Sequence, residues 1–239
     1  MNSKDDLPII SCICITANRT EMLFKSILAF GQQNYPRKEL VVSYPNTDQP
    51  TKILLEYLGE NTNINLLKVE RVENCTLGEA RNQAIEHANG VYICIWDDDD
   101  LHHEHRLTEQ FNSLNVDGKT MDASLIAQIL LFQVFNQTAY MAFPSYWSCT
   151  LLCLKELVRL YPFLNQNQFE SKPLLTHLTR NGLASLIYAS PHLYTHVFHG
   201  RNLMKYTSFL YIINKSTLVR NDTSEAIRDL VSQKVAILY

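Results

Sequence analysis

The segment WDDDDLHHEHRL, residues 96–107, places four carboxylates in a row and follows them at once with histidines. Adjacent aspartates repel one another, and Asp favours neither helix nor strand, so the run needs a physical reason. A solvated acidic turn is one, and a divalent cation that neutralises the charge is another. Asp97 and Asp99 alternate, so in extended backbone their side chains point the same way. Hard oxygen ligands suit Mg2+ or Mn2+, which hold one or two carboxylates and complete their shell with water and substrate phosphate. A zinc site at His102, His103 and His105 is the competing metal reading, but the spacing matches no zinc pattern. These histidines are expected instead to begin a helix, HHEHRLTEQF.

The elements around this run decide what it can reach. IISCICIT (9–16) is nearly continuous in apolar character, as a buried parallel strand is. TEMLFKSILAFGQQ follows at helical spacing, with Met22, Leu23, Ser26, Ile27 and Phe30 on one face. ELVVSY is a second strand, PNTDQP a loop, TKILLEYLGE a helix, and INLLKVERV contains a third strand. TLGEARNQAIEHANG is a helix opened by a Thr76–Glu79 capping box and stopped by Asn89-Gly90. VYICIW is the next buried strand, and the carboxylates stand at its C-terminal end. Strands alternating with helices predict a parallel sheet, and such sheets bind ligands at the C-terminal ends of their strands. Further on, SLIAQILLFQVFNQTAYMAF reads as a hairpin turning near NQ. CTLLCLKELVRLY and KPLLTHLTRNG read as helices, and ASLIYAS and LYTHVF as strands. No Pro-, Gly- or Ser-rich linker divides the chain. A single domain over 1–239 is expected, with two subregions, 1–107 and 108–239.

Composition limits the function classes. The chain has 239 residues, 46% hydrophobic and 19% charged, which is globular rather than disordered. A net charge of −3 gives no global basic field, so nucleic acid is not an expected partner. No signal-peptide h-region and no run of about 18 apolar residues is present, so the expectation is a cytoplasmic protein. The six cysteines form no CxxC pair, which suits reduced thiols rather than disulfides or zinc ligands.

Four segments, in order, resemble the family 2 glycosyltransferases of the GT-A fold. ISCICITANRTEMLFKSILAFGQQNYPRKELVV is similar to the family's opening strand, Arg-bearing turn, first helix, aromatic-Pro break and second strand. LGEARNQAIEHANGVYICIWDDDDLHHEHRL is similar to its Gly/Ala-Arg-Asn helix and Asp-x-Asp motif. FESKPLLTHLTRNG resembles the late acidic motif that carries the catalytic base, and LYTHVFHGRN the late His-Gly-x-Asn segment. The resemblance implies an α/β GT-A (Rossmann-like) fold: a mixed, mainly parallel central sheet with helices on both faces. It implies transfer of a sugar from a nucleotide-diphosphate sugar, expected to be a UDP-sugar, to a glycan or lipid-linked acceptor. The anomeric configuration inverts and Mn2+ or Mg2+ bridges the diphosphate. Carried over by position, Glu170 is the base, Asp99 and His199 hold the metal, and Asp100 stands behind them. Thr16, Asn18, Arg19, Tyr44, Arg81, Asp97 and Asp98 meet the donor.

The chain departs from the family pattern twice. Ser43 and Tyr44 stand where one or two Asp usually end the second strand, so the base contact is altered; Tyr can stack and both can hydrogen-bond. The late acidic pair is reduced to Glu170-Ser171. These departures keep a second class open, a catalytically degenerate sugar-nucleotide-binding partner subunit. The two classes differ in whether the Asp cluster and Glu170 face one pocket. Nucleotidyl transfer to a sugar phosphate would want a Gly-rich loop after the first strand, and TANRTE has no Gly. FLYIINKSTLVR and SEAIRDLVSQKVAILY combine apolar residues with Lys and Arg, as a peripheral contact at the inner membrane face would.

Overall fold

The computed structural model describes residues 6–220 and 222–235. The chain alternates at first: β1 (Ile10–Ile15), α1 (Thr20–Gly31), β2 (Lys38–Pro45), α2 (Gln49–Asn61), β3 (Leu66–Arg71), α3 (Leu77–His87) and β4 (Tyr92–Ile95). There follow β5 (Leu101–His102), α4 (Arg106–Asn112), β6 (Asn115–Val116), β7 (Lys119–Thr120), β8 (Ala123–Ile126), β9 (Leu130–Gln133) and β10 (Thr138–Met141). The remainder is β11 (Leu152–Leu154), α5 (Lys155–Leu160), α6 (Lys172–Asn181), β12 (Ala184–Ile187), β13 (Tyr194–Phe198), α7 (Tyr206–Ile213), β14 (Thr217–Leu218) and α8 (Asp222–Val235).

Seven strands form the central sheet in the order β12-β8-β11-β4-β1-β2-β3. Its strands are parallel except for β11, which runs antiparallel to both β8 and β4. Alternation along β1 sends Ile10, Cys12 and Cys14 to one face, where they pack with Leu23, Ile27 and Phe30 of α1 and Leu55 and Leu58 of α2. Ile13 points the other way, into a core shared with Ala84 and Ile85 of α3 and Leu174 and Leu178 of α6. Helices therefore cover both faces, and the inner strands β1, β2 and β4 are buried on both sides, which explains their near-continuous apolar runs, whereas the edge strand β3 exposes Lys68 and Glu70. The amphipathic face expected for α1 is the buried one: Met22, Leu23, Ser26, Ile27 and Phe30. A second sheet, β14-β10-β9-β13-β5, closes over the C-terminal end of β4. All six cysteines are thiols, with Cys12, Cys14, Cys94 and Cys153 buried.

Four local expectations are corrected. CTLLCLKELVRLY is not one helix. Leu152–Leu154 is a strand, and only Lys155–Leu160 is helical, because Leu151, Leu152 and Cys153 are buried between β8 and β4. The helix expected from His102 begins at Arg106 instead, since His102 pairs with Tyr194 in the second sheet. SLIAQILLFQVFNQTAYMAF is split between the two sheets, with β8 in the central one and β9–β10 forming the hairpin. Its turn does fall at Asn136-Gln137, with Gln137 at φ 51°. The α3 helix ends at His87 because Ala88 leaves in extended geometry, not because Gly90 adopts a left-handed cap. Asn89 is instead held by Glu39 through its backbone N–H (2.6 Å) and its side chain (2.9 Å). Of the C-terminal segment SEAIRDLVSQKVAILY, residues 236–239 lie outside the described residues.

Candidate functional site

The four aspartates do not lie in extended backbone. Residues 97–100 form a turn after β4, so alternation does not put Asp97 and Asp99 on one face. Each carboxylate is met by charged or polar partners. Asp97 Oδ1 meets Arg81 Nη2 at 3.2 Å. Asp98 accepts from Thr16 Oγ1 (2.6 Å) and pairs with Arg19 Nη2 (2.8 Å). Asp99 Oδ2 takes Arg19 Nη1 (2.9 Å), His199 Nε2 (3.1 Å) and Asn202 Nδ2 (3.3 Å). Asp100 accepts from the Tyr194 hydroxyl and the Val197 N–H (2.8 Å) and pairs with His196 Nδ1 at 3.0 Å. Like charges are tolerated side by side because every carboxylate is met by donors, with Arg19 bridging Asp98 and Asp99 and the Tyr194 hydroxyl standing between Asp100 and Asp97.

The histidines and the arginine of the same segment support that turn. Arg106, fully buried at the start of α4, donates to His102 Nδ1 (2.6 Å), to the Ile95 carbonyl (3.0 Å) and to Gln110 Oε1 (3.0 Å). With Nδ1 accepting, His102 Nε2–H donates to the Asp97 carbonyl at 2.9 Å. The His102 ring also stacks on Trp96 at 3.8 Å. Among the described residues no group of three or more His, Cys, Asp and Glu is arranged to hold a metal by itself.

A cleft of about 540 Å³ opens above the strand ends. Thr16, Arg19, Arg81, Asp97, Asp98, Asp99 and Glu170 all line it. The sequence reading places these seven at the site, and the fold brings them together. His199 reaches the cleft through Asp99 rather than by lining it. Two residues are elsewhere. Tyr44 is buried in the core with its hydroxyl on Glu70 Oε1 (3.3 Å), because its place in β2 turns it under the sheet. Asn18 sits in a turn at φ 54° with its N–H on Asp48, outside the lining. Asp48 is itself committed as the N-cap of α2, accepting from Thr51 N–H. The sequence reading missed Arg71, which lines the cleft and donates to the Thr16 carbonyl (2.8 Å) and Ser43 Oγ (3.4 Å). It assigned no partner to Asp100, and Tyr194 and His196 lie about a hundred residues away in sequence.

Glu170 is placed by a clamp between α3 and the loop before α6. Thr76 Oγ1 donates to Asn165 Oδ1 (2.6 Å), Leu77 N–H to Asn167 Oδ1 (2.8 Å) and Gly78 N–H to the Gln166 carbonyl (3.2 Å). The loop thus satisfies backbone donors that a helix start leaves open. Arg81, one turn on, then bridges Glu170 and Asp97. Gly78 is required by contact: a Cβ there would stand 1.8 Å from the Leu164 carbonyl oxygen and 3.2 Å from Glu170 Cβ. Gly78→Ala should displace the 164–170 loop, cost about 1–3 kcal/mol as an overpacked contact, and lower turnover more than nucleotide affinity. Thermal unfolding and calorimetry on the variant check both.

Burial and charge crowding shift the acids apart. Burial pushes Asp97 up to about 6 against the pull of Arg81, and Asp98 up to about 7 against Arg19. Asp99 is also buried, but the His199 hydrogen bond and Arg19 override burial and hold it well below the usual carboxylate range. Burial would lower His196, yet Asp100 beside it raises it to about 9. From the ordinary Asp value of 3.8 up to about 6 for Asp97 and about 7 for Asp98, the folded protein holds protons that the unfolded chain has released. His196 does the same between 6.5 and about 9. Both effects remove stability as pH rises. The metal-free protein should therefore melt lower at about pH 8 than at about pH 5. The fall should be a few degrees, since about 1 kcal/mol moves a domain of this size by about 2–4 °C. Thermal unfolding in EDTA across that range is the check, and a flat or rising profile would contradict these shifts.

A divalent cation fits the donor set. Asp99 supplies a carboxylate low in proton affinity and His199 an imidazole nitrogen facing it. The remaining ligands of Mn2+ or Mg2+ come from phosphate and water in such sites. His199 Nδ1 accepts from Arg201 N–H (3.3 Å), so Nε2 carries the hydrogen and donates to Asp99. Ligation through Nε2 would replace that hydrogen and loosen the turn at 200–202.

Comparison with known proteins bears on the family and the fold. Residues 11–168 match the family described as glycosyl transferase family 2. An uncharacterized glycosyltransferase of Methanocaldococcus jannaschii is 33% identical over 115 residues, 46% of this chain and 39% of that protein. The putative teichuronic acid biosynthesis glycosyltransferase TuaG of Bacillus subtilis is 29% identical over 104 residues, 43% of this chain and 40% of that protein. The chain thus spans about two fifths of the length of these relatives. Among solved structures, the mannosyltransferase PcManGT of Pyrobaculum calidifontis, in complex with GDP-Man and Mn2+, superposes with a TM-score of 0.66. Its identity is 18%, over 84% of this chain and 60% of that one. TarS of S. aureus in complex with UDP gives 0.61 at 20% identity, over 79% and 60%. At such identities the likeness shows the fold, a mixed α/β architecture shared with GT-A glycosyltransferases. Taken with the match over residues 11–168, it follows that the chain belongs to glycosyl transferase family 2.

Proposed function

We propose that this chain transfers a sugar, with inversion, from a nucleotide-diphosphate sugar to a hydroxyl of a glycan or lipid-linked acceptor, with Mn2+ or Mg2+ at the Asp-x-Asp segment. One observation carries the reading: the Asp97–Asp100 turn and Glu170 line the same cleft, and Arg81 ties Asp97 to Glu170. A degenerate binding subunit would have no need of a carboxylate held there. The cleft is also rich in donors. Among the described residues, the buried side-chain nitrogens without a partner are Arg71 Nε, Arg81 Nε and His196 Nε2, and all three residues line it. Orphaned N–H groups around one cleft suit an anionic ligand such as a diphosphate.

In this reading the 1–107 half binds the nucleotide and the 108–239 half the acceptor, within one domain. Arg19 holds Asp98 and Asp99 in place for the donor. Asp99 and His199 would hold the cation, which as a Lewis acid supplies charge neutralisation for the departing nucleoside diphosphate. Glu170 takes the proton of the acceptor hydroxyl as it attacks the anomeric carbon, and Arg81 fixes its orientation. The base pocket lies at the ends of β1 to β3, where Ser43 is engaged by Arg71 and Tyr44 is withdrawn into the core. Uridine is accordingly one candidate base among several. The test is a screen of uridine, guanosine and thymidine diphosphate sugars with Mn2+, reading released nucleoside diphosphate. Release above the spontaneous rate for one donor is expected, and no release with any donor or acceptor would contradict the reading.

A further inference from the structure

Between Glu170 and Asp222 the chain carries no acidic residue, but it carries Lys172, Arg180, Arg201, Lys205, Lys215 and Arg220. In a chain of net charge −3 this is a strong segregation of charge. Arg201, Asn202, Leu203, Met204 and Ile212 of this segment form part of the cleft wall, with Arg201 and Leu203 exposed at its mouth. Around that mouth large apolar side chains face solvent: Phe169 at 75% exposure, Tyr211 at 60%, Leu203 at 58% and Tyr206 at 50%. Phe169, Leu203 and Tyr206 lie along one rim, and Tyr211 follows on α7. Gln168 donates to the Leu203 carbonyl (3.1 Å), which joins the Phe169 loop to the rim. Tyr206 packs on Phe198 at 5.7 Å, and Phe135, also exposed, packs on Phe198 and against Gly200. Phe169 is held at φ 58°, an unfavourable conformation for an exposed aromatic residue unless something else uses it.

We infer that this rim docks on a lipid bilayer surface bearing anionic headgroups, and that docking presents the cleft to acceptors carried at that surface. Tyr and Phe are suited to the headgroup–acyl boundary, and Lys and Arg around them meet anionic headgroups. The rim segment itself carries no acid between Ser171 and Asn221, which keeps repulsion low along it, while the cleft's own carboxylates are engaged by Arg19, Arg81, Tyr194 and His199. Among the described residues no helix is long and apolar enough to cross a membrane, so the contact is peripheral. The purpose assigned to docking rests on the transferase reading, but the contact itself does not.

The experiment is co-sedimentation of the full chain with vesicles of phosphatidylcholine alone and of phosphatidylcholine mixed with phosphatidylglycerol. Association with the mixed vesicles only is expected, and it should weaken in high salt. Lys205→Glu/Lys215→Glu should lower vesicle affinity at least about tenfold, given the worth of each basic residue at an anionic surface. Tyr206→Ser/Tyr211→Ser should lower it to a similar extent. Both variants change exposed positions, so Mn2+-supported nucleotide binding should persist. No association with either vesicle, equal association with phosphatidylcholine alone, or unaltered binding by the variants would overturn the inference. So would self-association without vesicle binding that Tyr206→Ser/Tyr211→Ser abolishes, which would assign the rim to a second copy of the chain. Vesicle binding without binding of any nucleoside diphosphate would instead remove the transferase reading and leave the surface intact.

Discussion

Asp99→Ala should remove metal-supported nucleotide binding while the protein stays folded. Asp99 is the acceptor on which Arg19, His199 and Asn202 converge, and its low proton affinity leaves a carboxylate at any working pH. Outer partners of a metal ligand are worth about 10–100-fold in affinity, so loss of the ligand itself should cost at least about 100-fold. Calorimetry with nucleoside diphosphate and Mn2+ reads this directly. The fold should persist because Arg19 and Asn202 line the cleft and can turn to its water, so that of the three donors only the buried His199 ring is left short of a partner. Asp100→Ala should behave differently. It strands the Tyr194 hydroxyl, the Val197 N–H and His196 inside the second sheet, and the damage should show in stability first. If Asp99→Ala keeps its metal-dependent affinity, the cation is held elsewhere.

Glu170→Gln should keep donor binding and lose most transfer. Gln preserves the shape of the side chain and removes its basicity, and general-base catalysis contributes about 10²–10⁴-fold. The substitution also weakens the bridge to Arg81, which leaves that buried guanidinium with Asp97 at 3.2 Å. Some stability should therefore be lost alongside activity. The two effects separate kinetically: turnover at saturating donor and acceptor reports the base, and thermal unfolding reports the bridge. Near wild-type turnover would take Glu170 out of the mechanism.

What could be read from the sequence was local. The Thr76–Glu79 capping box and the apolar face of α1 depend on neighbours within a few residues, and such patterns survive folding unchanged. Motif order along the chain also singled out Thr16, Arg19, Arg81, Asp97, Asp98, Asp99 and Glu170, all of which line the cleft. What could not be read depends on distant partners. Asp97–Asp100 looked like alternating extended positions, yet the turn is set by His102 and Arg106 beneath it and by donors 80 to 103 residues away. Tyr44 looked available for stacking, but its hydroxyl finds Glu70 on β3 and its ring joins the core. β11 looked helical because three buried residues between two other strands carry no periodicity of their own. Arg71 carried no signal beyond its place at the end of a strand.

The central claim is inverting transfer within this cleft, and the stereochemistry of turnover tests it most directly. With Mn2+ and an α-linked nucleotide-sugar donor, water can replace the acceptor, and proton NMR follows the anomer released before mutarotation. Attack from the face opposite the diphosphate predicts the β anomer first, with Glu170→Gln suppressing its formation. First appearance of the α anomer, or formation of the β anomer at the same rate in Glu170→Gln, would contradict the account.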